Sequence, residues 1–103
     1  MLIAIGYAAL SANTGGDGNT AVGVRAMEVN TTGANQTAIG MDALETCTSG
    51  NGNTTVGRQS LQYLTTGDNN IAMGYVAGRN ITTASGCTAL GRSALQACTE
   101  GAG

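Results

Sequence analysis

The tetrapeptide TAVG at residues 20–23 returns as TAIG at 37–40, TTVG at 54–57 and TALG at 88–91, with looser copies, IAIG and IAMG, at 3–6 and 71–74. Each copy ends in a glycine, and consecutive glycines are 17 residues apart. A constant period in this range is the signature of a repeat architecture whose units stack on their neighbours. The sequence therefore predicts one repeat array over residues 1–103, with coils at about 3–19, 20–36, 37–53, 54–70, 71–87 and 88–103. The repeat glycines are Gly6, Gly23, Gly40, Gly57, Gly74 and Gly91.

Positions counted from the repeat glycine as zero form columns of nearly constant composition. Position −1 is apolar in every copy, and position +4 holds Leu or Met in five of the six. Positions −2 and +3 hold small residues, and no charged residue occurs in any of these four columns. Because charge-free columns face a core or a partner, we expect columns −1 and +4 to point into the core and the charged columns to face water.

Position +12 contains only glycine and asparagine, the residues that adopt positive φ at the least cost. This composition predicts a turn through left-handed backbone once in every coil. The turn residues are Gly18, Asn35, Gly52, Asn69, Gly86 and Gly103.

The period is too short for helices, because a helix–turn–helix unit needs about 33 residues. Gly- and Thr-rich coils are also poor helix formers. The sequence instead predicts an all-β fold, a parallel β-solenoid of six 17-residue coils, each with two short strands and two turns.

A coil of this composition has a thin core, with about one large aliphatic residue at −1 and one at +4. Small cores rarely outweigh conformational entropy without help, and association with further copies supplies the missing burial. Columns +6 and +7 contain Val29, Cys47, Tyr63, Leu64, Ile81 and Cys98. We expect these two columns to form a lateral contact between chains.

The small–apolar–Gly strands, such as AVG at 21–23 and AIG at 38–40 with a following AL-like pair, resemble the head repeats of trimeric autotransporter adhesins. They equally resemble the related repeats of phage tail fibres and other surface fibres. The resemblance covers residues 2–103 and implies a left-handed parallel β-roll in a side-by-side homotrimer. It also implies a structural fibre protein, with a role in adhesion, located outside the cell, on a cell surface or on a virion. The coil here is longer than the adhesin coil and includes a Thr/Gly-rich loop.

Composition argues against several other function classes. The chain has no histidine, which excludes Ser-His and Cys-His dyads, and no pair of its six acidic residues is placed for acid–base work. We expect no enzyme activity, no cofactor and no metal. A net charge of −2 without a basic stripe argues against nucleic acid as a partner. No apolar run is long enough for insertion into a membrane.

The rival hypothesis is a ligand-binding solenoid for ice, glycan or calcium that uses its Thr and Asn columns. Position +8 is always threonine, and these hydroxyls could form a ladder, carry O-glycans or bond backbone groups in a turn. The column consists of Thr14, Thr31, Thr48, Thr65, Thr82 and Thr99. The fragments DGN at 17–19 and DNN at 68–70 resemble calcium loops, but column +11 lacks a regular Asp, which favours solvated turn residues.

Cysteines, glycosylation sequons and chain ends complete the sequence expectations. Cys47, Cys87 and Cys98 fit small buried hydrophobes, with bridges between chains as the alternative. Four sequons, at Asn30, Asn35, Asn53 and Asn80, fall in different columns and are expected by chance in an Asn/Thr-rich chain. Residue 103 lies in the same column as Met1, so a residue 104 would share the column of Leu2 and continue the repeat in phase. Neither end has a polar capping repeat. We therefore expect either a segment of a longer array or head-to-tail stacking into a filament.

Overall fold

The structure, a computed structural model that describes residues 1–95, is an all-β parallel solenoid, and this prediction of fold class is confirmed. Six three-residue strands form one parallel sheet in sequence order. Partners in neighbouring strands are 17 residues apart, as in Thr20 with Thr37 and Thr37 with Thr54. The strands are β1 (Ile3–Ile5), β2 (Thr20–Val22), β3 (Thr37–Ile39), β4 (Thr54–Val56), β5 (Ile71–Met73) and β6 (Thr88–Leu90).

Each described coil contains one strand, so the expectation of two strands a coil is wrong. After the strand the backbone passes through overlapping turns, in which Ala26 N–H donates to the Gly23 carbonyl and Glu28 N–H to the Arg25 carbonyl, both at 3.2 Å. Positive φ at the third residue is characteristic of a type II turn. Columns +2 and +4 provide it, with φ of 58° at Arg25 and 52° at Met27.

These turns still hydrogen-bond from coil to coil. Arg25 N–H donates to the Tyr7 carbonyl of the preceding coil at 2.7 Å, and Met27 N–H donates to the Ala43 carbonyl of the following coil at 2.9 Å. The neighbours on both sides therefore hold non-glycine residues in a conformation that costs on the order of 1 kcal/mol or more for a single residue. Val76 adopts it too, with φ of 51°, although a β-branched side chain disfavours it most.

The repeat glycines explain why the tetrapeptide recurs. Their φ values lie between 109° and 134°, a region that is open to glycine alone. Successive glycines also lie backbone against backbone, so that a Cβ atom on Gly57 would be 2.4 Å from the carbonyl oxygen of Gly74. The glycine is thus required twice, by its torsion angle and by the space between coils.

The interior is lined by columns −2, +3, +4, +7 and +13. A Cβ atom built on Gly78 at position +4 would lie 3.7 Å from Ala72 Cβ at −2, and 2.9 Å and 3.1 Å from methyl carbons of Leu61 and Ile81. Small residues at −2 and large residues at +4 and +7 therefore fill the same thin layer. The buried apolar side chains of this core include Leu10, Met27, Leu44, Cys47, Leu61, Leu64 and Ile81.

Two sequence expectations about this core are wrong. Column −1 points outward, because side chains alternate along a strand and the interior side is taken by the small residue at −2, which is alanine in five strands and Thr55 in β4. Column +7 lies inside the coil, with Leu64 and Ile81 fully buried, and cannot form a contact between chains. Column +4 does point inward, as predicted.

The fourth coil shows that columns −2 and +3 meet inside the core. Thr55 and Ser60 replace the alanines that most coils have at these positions. Both side chains are fully buried, and the Thr55 hydroxyl donates to the Ser60 hydroxyl, which in turn donates to the Gly57 carbonyl. The two polar replacements therefore satisfy each other.

Column +13 forms a buried amide ladder, defined here as Asn19, Gln36, Asn53 and Asn70, which the sequence reasoning missed. The Oδ1 atom of Asn53 accepts a bond of 2.9 Å from the backbone N–H of Asn70, one coil further on. Its Nδ2 donates to the Gly67 carbonyl at 2.9 Å and to Gln36 Oε1 at 2.7 Å. Within residues 1–95 no buried side-chain nitrogen or oxygen lacks a partner. The ladder therefore fixes the register of adjacent coils in a core that has little apolar volume.

The two requirements on the repeat glycine can be separated by matched substitutions. Gly57→Ala introduces both a strained φ and a clash with Gly74, whereas Gly91→Ala introduces strain without a clash inside residues 1–95, where a Cβ at Gly91 meets no atom within 4 Å. We expect G91A to lower the unfolding free energy by about 1–2 kcal/mol and G57A to lower it further. Urea titration at fixed protein concentration measures both, and equal losses would contradict the steric requirement.

The amide ladder is tested by Asn53→Ala with Asn51→Ala as its control. N53A leaves the Asn70 N–H and the Gly67 carbonyl without their buried partner, and we expect a loss of about 3 kcal/mol. Asn51 is exposed, and its side chain accepts only the Ala34 N–H, so water replaces it and N51A should cost less than about 1 kcal/mol. Similar losses for the two variants would show that the ladder does not stabilise the core.

Candidate interaction surface

The outward side of the sheet carries a continuous apolar column at position −1, flanked by threonine or isoleucine at position −3. The strand face is defined here as positions −3 and −1 of β1 to β6, which alternate with the inward alanines at −2. Position −3 is Thr or Ile, and position −1 is a large aliphatic residue in every strand. The strand face consists of Ile3, Ile5, Thr20, Val22, Thr37, Ile39, Thr54, Val56, Ile71, Met73, Thr88 and Leu90.

Exposed apolar side chains are concentrated on and beside this strip. Of the fifteen large hydrophobic residues that are exposed within residues 1–95, seven belong to the strand face and three more, Tyr7, Met41 and Tyr75, lie at position +1 directly after the repeat glycine. Ile39 and Val56, in the middle of the sheet, are 39% and 37% exposed. Contiguous exposed apolar surface is typical of interaction sites, which makes this surface the candidate.

The strand face itself carries no charge, and the column beside it carries only Arg58 and Arg92. The other charges of the described coils lie on different columns. Arg25 bridges Asp42 at 2.8 Å and Glu45 at 3.6 Å, and the hydrogen bond with Asp42 raises the pKa of the guanidinium. Asp42 is only 5% exposed, so the expectation that charged columns face water fails at this residue, because its partner Arg25 replaces the solvent.

A second, smaller apolar patch lies at position +6. Val29 is 37% exposed and Tyr63 is 38% exposed, but Thr46 and Asn80 occupy the same column in the coils between and beyond them. Arg79 lies over the Tyr63 ring, with its Cζ atom 5.4 Å from the ring centroid. Of the two columns that the sequence assigned to a contact between chains, only +6 is therefore at the surface, and it is interrupted.

The threonines of column +8 hold the coils together. The hydroxyl of Thr14 donates to the Thr31 carbonyl at 3.2 Å, and those of Thr31 and Thr65 donate to the carbonyls of Thr48 and Thr82 at 3.1 Å each. These hydroxyls bond backbone oxygens one coil away, an arrangement that stabilises a turn. Thr99 lies outside the described residues.

The Gly/Asn column turns as its composition predicts. The φ angles of Gly18, Asn35, Gly52, Asn69 and Gly86 lie between 58° and 73°. Gly103 lies outside the described residues. The Asn-rich column +13, in contrast, is buried and is not available to a ligand.

Cys47 is a buried free thiol, Cys87 is also buried, and Cys98 lies outside the described residues. Burial raises the pKa of the Cys47 thiol, so that its reactive thiolate forms only at higher pH than in an exposed cysteine. Among the sequon asparagines, Asn30 and Asn53 are fully buried, whereas Asn35 and Asn80 are exposed.

The described part of the chain offers no enclosed site for a small ligand. Residues 1–95 contain no pocket and no group of three Cys, Asp or Glu side chains that could hold a metal ion. Side chains at column +11 instead accept backbone N–H groups of the preceding coil, as Asp68 does from Asn51 at 2.8 Å. Over the same residues, no helix of the length and apolarity needed to cross a membrane is found.

The sequence reasoning missed both the amide ladder and the direction of column −1. The ladder had a signal, since column +13 reads Asn19, Gln36, Asn53 and Asn70 before Cys87. Column −1 had none, because an apolar column has the same composition on a core and on an association surface.

No protein-family model, no curated protein and no solved structure matches this chain. Its function is therefore inferred from its own side chains, and the strand face is the candidate site.

Proposed function

We propose that this chain is a structural, fibre-forming repeat module that associates laterally with copies of itself. The observation that carries the proposal is the outward apolar column −1, which runs through all six strands. Covering this column supplies the burial that the thin core lacks. The strand face thus takes the role that the sequence assigned to columns +6 and +7.

The homotrimer is the proposed order of lateral association. The resemblance of the coils to adhesin head repeats and tail-fibre repeats supports three chains side by side around the fibre axis. The same resemblance supports a location outside the cell, on a cell surface or on a virion, and an adhesive role. The proposal gives the chain no catalytic activity and no cofactor.

Head-to-tail stacking is the second part of the proposal. Among the described strands, β1 pairs only with β2 and β6 pairs only with β5, so a further strand in the same register could pair with either. Open edges template the addition of further strands. A neighbouring chain that continues the 17-residue register would extend the sheet without interruption.

Lateral association is tested by Val56→Asp with Val29→Asp as its control. The two valines have the same exposure of 37%, but Val56 lies on the strand face and Val29 at column +6. We expect light scattering to give an oligomer mass for the native chain and for V29D, and a much smaller mass for V56D, because its aspartate must be desolvated in the contact. Loss of the oligomer in V29D alone would show that the contact between chains lies at column +6 and not on the strand face. A native chain that is monomeric at micromolar concentration would refute lateral association.

Stacking predicts an axial period. Six coils at about 4.8 Å each give a repeat near 29 Å along a filament of stacked chains. Electron micrographs of the purified chain at high concentration measure it. Compact particles without a period of that order would contradict stacking and leave lateral association untouched.

A further inference from the structure

The arginines of the described coils fall into two classes. Arg25 is bound to Asp42 and Glu45, and Arg79 donates to Gln62 Oε1 at 3.0 Å and to the Tyr63 hydroxyl at 3.2 Å. Arg58 and Arg92, in contrast, form no ion pair within residues 1–95. Two of the four guanidinium groups are therefore left for a ligand from outside the chain.

These two arginines share one column and have a tyrosine between them. Arg58, Tyr75 and Arg92 are the +1 residues of three consecutive coils, and all three are exposed. The Cζ atom of Arg92 lies 5.6 Å from the centroid of the Tyr75 ring. Stacking on an aromatic ring restrains a guanidinium while its N–H groups stay free to donate.

The residues around this row are mainly apolar, and the adjacent column +2 holds one acidic residue, Asp42, which is paired with Arg25. The residues two positions earlier in the same coils are Val56, Met73 and Leu90, which are apolar and exposed, and no acidic residue lies in columns −3 to +1. A local cationic row on a chain of net charge −2 favours an anionic ligand at this place and not elsewhere on the surface.

We propose that Arg58, Tyr75 and Arg92 form a binding site for an acidic polysaccharide that lies parallel to the solenoid axis. A guanidinium binds carboxylate or sulfate with two parallel hydrogen bonds, and the C–H face of a sugar ring packs on the tyrosine between them. The two arginines are two coils apart, about 10 Å, which is roughly the length of two pyranose rings. The row therefore fits a polymer with an acidic group on alternate rings.

The test uses the assembled protein and defined oligosaccharides. Hyaluronan oligosaccharides carry a carboxylate on alternate rings, chondroitin sulfate adds sulfate, dextran has the rings without charge, and polyphosphate has charge without rings. We expect calorimetry to detect the two acidic saccharides but not dextran, with affinity falling as salt screens the arginines. Absence of binding by both acidic saccharides would overturn the proposal.

Variants separate this row from general surface charge. Arg58→Gln and Arg92→Gln should each weaken binding of hyaluronan about tenfold, the loss of one charge-assisted contact. Arg79→Gln removes the same charge from the other arginine–tyrosine pair and should leave the affinity unchanged. Tyr75→Leu should weaken binding of hyaluronan but not any residual binding of polyphosphate.

Equal losses in R79Q and R92Q would overturn the site, as would an unchanged affinity in Y75L. Light scattering and circular dichroism on the same samples report assembly and folding. Because assembly and saccharide binding are measured by different methods on the same samples, failure of the oligomer and failure of saccharide binding are observed separately.

Discussion

The contact of backbone on backbone at the repeat glycines is the constraint on which the rest of the structure depends. Each of these glycines has φ near 130° in the coils from Gly6 to Gly74, and each lies directly against the next one. No side chain fits between them, so the chain must return to the same point after every 17 residues. Because the period is constant, equivalent residues of successive coils stack on one another, and this stacking produces all the other columns.

A coil this small has a thin interior, which explains the unusual core. The alanines at −2 and the aliphatic residues at +4 already meet across it, and little room is left for a second layer of large side chains. The inward column +13 carries amides in four coils, and their bonds to the next coil replace apolar contact. A satisfied polar network of this kind specifies register strongly, because a shifted coil would leave buried groups unpaired.

The same shortage of interior space puts the large residue of each strand on the outside. In an isolated coil this arrangement exposes apolar surface, and in an array it produces a strip that runs the length of the sheet. The described part of the chain has an edge and a strip but no pocket. Such surfaces suit contacts with long partners, either a second copy or an extended polymer.

The sequence by itself determined the period, the fold class, the positions of the repeat glycines and the Gly/Asn turn. These features depend on backbone sterics, which act within a few residues. Positions that need positive φ therefore hold glycine or asparagine, and this is visible in the sequence. Columns +2 and +4 adopt positive φ as well, but they hold residues such as Arg25, Asp42 and Val76. These residue types do not indicate positive φ, so the sequence did not predict it.

Only the tertiary structure decided which apolar columns face the core. Columns −1 and +4 are equally apolar, yet Val56 is exposed and Leu61 is fully buried. The difference arises from the number of strands in a coil: with one strand followed by continuous turns, the alanine at −2 takes the inner side and −1 must point out. The positive φ at +2 and +4 has the same origin, since hydrogen bonds to coils 17 residues away hold those residues in place. The direction in which a side chain points and the strain in its backbone are both set by residues distant in sequence. The residue types in a column therefore do not reveal them.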